Sequence, residues 1–80
     1  MTPDDALSDV LKQLCAELPL DGHTIQATDV LRDLPGADSI RLFRMSAKLE
    51  RQFGIEFEDE RLFSIRTVGD LADLLVEATE

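Results

Sequence analysis

Eighty residues, 44% of them hydrophobic, supply one small core and leave no room for two domains around a deep cleft. A formal charge of −9 argues against nucleic acid as a partner, and no apolar run approaches the length of a membrane span. The start Met1-Thr2-Pro3-Asp4-Asp5 lacks the basic and apolar regions of a secretion signal, and the lone Cys15 cannot form an internal disulfide, so a reducing cytoplasm is expected.

Thr2 and Pro3 read as an N-cap and N1 pair. After them Leu7, Val10, Leu11, Leu14, Cys15 and Leu18 recur at helical spacing until Pro19, which predicts one amphipathic helix with Cys15 buried on its apolar face. A long connection from about Leu20 to Ala37 follows, with turn signals at Asp21-Gly22 and Leu34-Pro35-Gly36. Connections of this length are uncommon in small domains, so it either hides a short helix or serves a function. Ile25, Val30, Leu31 and Leu34 can pin it to the core, while His23 reads as a solvated loop residue.

A second helix is predicted over 39–53, buried along Leu42, Met45, Leu49 and Phe53 and ended by Gly54 in a left-handed conformation. Ile55 and Phe57 lead to the acidic Glu58-Asp59-Glu60 and one or two helical turns around Arg61-Leu62-Phe63. Thr67 and Asp70 form a capping box for a last helix carrying Val68, Leu71, Ala72 and Leu75, to about Ala78. The expected fold is all-α: a small bundle of three longer helices plus one short helix.

Catalytic chemistry finds little support in this pattern. A nucleophilic Ser39 or Cys15 needs a general base, an oxyanion hole and a cleft, and His23 is the only histidine. Glu58, Asp59 and Glu60 are adjacent and cannot converge on one metal ion, so a solvated acidic helix start is the better reading. No phosphate-binding or dinucleotide fingerprint is present. What stands out is Gly36-Ala37-Asp38-Ser39-Ile40. Asp38 is a good N-cap, and Ser39 falls in the first turn with the positive end of the helix dipole behind it. Taken alone, the pentapeptide serves equally as a simple cap or as the site of a phosphodiester.

Gly36-Ala37-Asp38-Ser39-Ile40 resembles the phosphopantetheine attachment motif of acyl carrier proteins. Asp33-Leu34 before it, the stripe Leu42, Met45, Leu49 and Phe53, then Ile55, Phe57, Leu62, Ile65, Thr67-Val68 and Leu71 follow that family without a gap after the serine. The similarity covers about residues 7–78, within one carrier domain of residues 1–80. It implies a four-helix bundle of the acyl-carrier type, whose long first loop precedes the serine. It further implies that Ser39 is esterified with 4′-phosphopantetheine taken from coenzyme A by a separate phosphopantetheinyl transferase, Asp38 being part of the motif. The chain itself would be a monomer that catalyses nothing and holds no metal. It would present a thioester-linked acyl group to acyl-loading, acyl-transfer or condensing enzymes. Ile40 stands where the family places an exposed leucine that enters partner enzymes; ordinary core packing is its other reading.

The predicted second helix departs from that family. Arg41, Arg44, Lys48 and Arg51 stand against a single Glu50, so residues 39–53 carry +3 while the rest of the chain carries −12. At about 100° per residue the four cations fall within an arc of about 80°. In fatty-acid carriers three of these positions, those of Arg41, Arg44 and Arg51, are commonly acidic. A solvated face is the plain reading, and recognition by partners other than a fatty-acid synthase is the functional one. Pro35 is also extra to the family's common pattern. The expectation is an acyl carrier for specialised, polyketide-like or hybrid biosynthesis. The alternatives are a peptidyl or aminoacyl carrier of nonribosomal assembly and an unmodified carrier-like adaptor.

Overall fold

The computed structural model describes residues 1–19 and 24–80; the Asp21-Gly22 turn signal and His23 lie outside them. Helix α1 (Pro3–Glu17) begins at Thr2, whose hydroxyl oxygen accepts the Asp5 N–H at 3.2 Å, with Pro3 as its first residue. Asp4 and Asp5 place negative charge against the positive end of the helix. Ala6, Val10, Leu14 and Leu18, four residues apart, form the buried line, with Leu7 and Leu11 packed beside it. Cys15 is exposed, contrary to the sequence expectation. Its side chain leaves α1 about 120° from the centre of that line, beyond the reach of the core.

Among its described residues the connection after α1 contains one 3₁₀ turn, Leu31–Asp33, and these residues are laced to the start of the last helix. Val30 and Thr67 form an isolated antiparallel bridge. The Leu31 N–H donates to the Arg66 carbonyl at 2.9 Å and the Val68 N–H to the Asp29 carbonyl at 2.9 Å. The Gly69 N–H donates to the Ala27 carbonyl at 2.8 Å. Val68 and Gly69 open α4 (Val68–Thr79), so the loop's carbonyls satisfy amide groups that a helix start leaves unpaired. The Asp70 N–H goes to the Thr67 hydroxyl, and the Asp70 carboxylate accepts back from Thr67, completing the capping box.

Helix α2 (Ser39–Phe53) ends at Gly54, which has φ +65°. The following segment is held by Glu50, whose carbonyl accepts the Ile55 N–H at 3.0 Å and whose carboxylate accepts the Phe57 N–H at 2.9 Å. Short α3 (Asp59–Ser64) starts with Asp59 and Glu60 in its first turn, a favourable arrangement with the helix dipole. Helix α1 packs chiefly on α4 and also on α2. Leu14, Met45, Leu49, Leu71 and Leu75 fill the centre with Val10 and Val68. Three longer helices and one short helix form an all-α bundle, with no β-strand among the described residues.

Candidate functional site

Three successive local structures deliver Ser39 to the surface. The 3₁₀ turn ends with the Leu34 N–H donating to the Leu31 carbonyl at 3.3 Å. Leu34, Pro35, Gly36 and Ala37 then make a turn closed by the Ala37 N–H on the Leu34 carbonyl at 3.0 Å. Proline second and glycine third, the latter at φ +75°, are the marks of a type II turn, which gives Pro35 a structural role. Asp38 follows in extended conformation, and its carboxylate accepts the Arg41 N–H at 2.7 Å while its carbonyl accepts the Leu42 N–H at 3.0 Å. Ser39 is thereby fixed as the first residue of α2, exposed, at the positive end of a fifteen-residue helix.

Beside Ser39 a recess of about 230 Å³ opens between α2 and α3. Leu42, Met45, Leu62, Ile65 and Leu71 give it apolar walls. Ser46, 7% exposed, also lines it, and its hydroxyl donates to the Leu42 carbonyl at 3.0 Å, so the wall carries no unpaired donor there. Phe43 and Phe63 stand at the edges, 72% and 81% exposed. In the sequence neither phenylalanine stands out as a site residue. Phe43 lies one residue off the stripe of Leu42 and Met45, and such an out-of-phase aromatic is the signal that could have found it.

The other sequence-marked residues are distributed along α2. Ile40 is 70% exposed, which removes core packing as its reading. The four cations do not form a uniformly free face. Lys48 pairs with the Glu17 carboxylate at the end of α1, and Arg44 reaches the same carboxylate at 4.0 Å. The Glu17 side chain is only 7% exposed, whereas Arg44 and Lys48 are 61% and 47% exposed. Glu17 therefore joins α2 to α1 and neutralises part of the stripe. Among the described residues Arg41 and Arg51 have no carboxylate within ion-pair distance, and Arg41 instead packs by Gly36. No cluster of three metal-ligating side chains occurs among the described residues.

An exposed serine on a capped helix, beside an apolar recess in a small four-helix bundle, is a geometry that can carry a covalently attached group. The family model described as a phosphopantetheine attachment site matches residues 8–75. The acyl carrier protein of Exiguobacterium sp. strain AT1b is 37% identical over 71 residues, covering 89% of this chain and 90% of that one. That of Exiguobacterium sibiricum is 29% identical over 75 residues, covering 94% and 95%. An acyl carrier protein homolog of Mycoplasma genitalium is 37% identical over 65 residues, covering 81% and 74%. The chain belongs to the acyl carrier protein family, and its cofactor is covalently attached 4′-phosphopantetheine. The site fits such a group: an accessible hydroxyl at a positive helix end suits a phosphodiester, and the recess alongside suits apolar matter attached to it.

Proposed function

We propose that residues 1–80 form one carrier domain, with its core at about 7–78, in which Ser39 bears 4′-phosphopantetheine. The observation that carries this reading is the exposed Ser39 hydroxyl, held by the Asp38 cap at the lip of the recess. When attached, the group supplies a thiol that holds an acyl cargo as a thioester. The chain's own residues orient and present. Asp38 spends its carboxylate on the helix cap, the type II turn sets the approach to Ser39, and the first turn of α2 offers a favourable field to a phosphate. The base and Mg²⁺ for attachment come from a phosphopantetheinyl transferase, and the chain is a non-catalytic monomer of the cytoplasm. No helix of the described residues is long and apolar enough to cross a membrane.

The finer assignment is to specialised, polyketide-like or hybrid biosynthesis, served by dedicated acyl-loading and acyl-transfer or condensing enzymes. The basic α2 supports it. Ile40 and Arg41 adjoin the serine, Arg44, Lys48 and Arg51 continue along α2, and surfaces built for a basic or an acidic helix exclude one another by like-charge contact. Incubation with coenzyme A and a broad-specificity transferase should add one phosphopantetheine by intact mass. The addition should vanish in Ser39→Ala. A chain left unmodified by several transferases would instead be a carrier-like adaptor.

A further inference from the structure

Among the described residues that line the recess beside Ser39, one is a cation, Arg32 of the 3₁₀ turn, and one an anion, Asp59 of α3. Arg32 has no carboxylate within ion-pair distance among the described residues. Its place follows from the turn. Leu31 and Leu34, 4% and 5% exposed, stand three residues apart and take the buried side of a coil with three residues per turn. Arg32, next to Leu31, is left exposed at the recess. The stretch is tied at both ends. The Leu31 N–H is held by the Arg66 carbonyl, and the Leu34 carbonyl accepts the Ala37 N–H just ahead of Ser39. Arg32 and Ser39 thus reach one hollow from a short, hydrogen-bonded length of chain.

We propose that Arg32 is a positioning residue for the prosthetic arm, its guanidinium donating to an anionic oxygen of the phosphodiester on Ser39. The proposal rests on the carrier reading of Ser39, since the ester supplies the anion. The local charge balance calls for such a partner. A phosphodiester brings negative charge beside the Asp38 carboxylate in sequence and onto the same recess as Asp59. The first turn of α2 offsets only part of it, because the Arg41 N–H is already taken by Asp38. The Arg41 guanidinium lies against Gly36, and Arg41 does not line the recess. Arg32 does. A planar guanidinium matches two phosphate oxygens, and a hydrogen bond between charged groups is stronger than a neutral one. One exposed arginine binds a free anion weakly, but attachment at Ser39 raises the local concentration to the order of millimolar or above. The consequence is directional. Arg32 keeps the root of the arm on the recess side of Ser39, away from the Pro19 end of α1.

The test compares the unmodified chain with the fully modified one by nuclear magnetic resonance. Attaching the arm should shift the Arg32 Nε–H resonance and leave that of Arg51, at the far end of α2, in place. In Arg32→Gln the phosphorus resonance of the arm should move toward that of phosphopantetheine on a serine peptide. Arg32→Lys should restore part of the difference, and Lys12→Gln on α1 should leave the resonance unmoved. Raising salt from about 0.1 M to about 1 M cuts the screening length from about 10 Å to about 3 Å, and should carry wild type toward the Arg32→Gln position. Arg32 and Lys12 are exposed, so melting temperatures should stay unchanged. An Arg32 resonance indifferent to the arm, with Ser39 fully modified by intact mass, overturns the contact and leaves the carrier reading intact. A Lys12→Gln shift equal to that of Arg32→Gln also overturns it, making the effect one of net charge. So does an Arg32 shift seen only with a carboxylate-bearing acyl group on the arm, which would assign the arginine to the cargo. No modification of Ser39 overturns both readings.

Discussion

Two glycines in left-handed conformation do different work in this chain. Gly54 ends α2 at φ +65° with open space around it, so a methyl group there meets only the backbone penalty of that conformation. Gly36 has φ +75°, and a Cβ placed on it would lie 2.5 Å from Pro19 Cδ and 2.8 Å from Arg41 Nη1. The arginine can swing away, but the proline ring at the end of α1 cannot. Gly54→Ala should therefore cost about 1 kcal/mol in urea unfolding. Gly36→Ala should cost more, roughly 2–3 kcal/mol, because overpacking adds to strain. Equal losses would mean that the turn before Ser39 yields freely. Gly36 is thus a packing residue as well as a motif residue.

At the scale of elements, the ends of helices were legible in the sequence and their neighbours were not. Asp38 and Gly54 bound α2 at both ends, and Thr67 with Asp70 starts α4, because caps act within one turn of chain. Cys15 and Glu17 depend instead on how α1 lies against its partners, which periodicity leaves open to within a residue's rotation. The same holds for Phe43 and Phe63, whose exposure follows from the gap between α2 and α3. The Glu17 junction has a directional consequence. Its carboxylate is buried while Lys48 and Arg44 reach it from water. Lys48→Met leaves that carboxylate with only the more distant Arg44, whereas Glu17→Gln releases two cations that are already solvated. Chemical denaturation should find Lys48→Met the more damaging, with Glu17→Gln within about 1 kcal/mol of wild type. Negligible losses in both variants would show that the α1–α2 junction is held by apolar contacts alone.

For the molecule as a whole, acid acts in two directions. Backbone N–H groups of Thr67 and Arg66 hold the Asp70 carboxylate below its ordinary value of 3.8. That group therefore contributes stability fully above its unfolded value, and the contribution fades as pH falls through its lower folded value. Over the same range, protonation of other carboxylates relieves the self-repulsion of a −9 chain. Thermal melts of wild type against Asp70→Asn separate the two. Wild type should melt higher at pH 7, and the difference should shrink below about pH 4. A difference constant down to strongly acidic pH would remove the charge of Asp70 from the account. The long connection gives this capping box a wider reach. Leu31 donates across to Arg66 while Val68 donates back to Asp29, so the two segments clasp each other from both sides. Opening either one strips amide protection from the other, and the connection and the first turn of α4 should exchange their protons with solvent as one cooperative unit. The stretch of chain leading to Ser39 thereby inherits its persistence from a helix more than twenty-five residues further on.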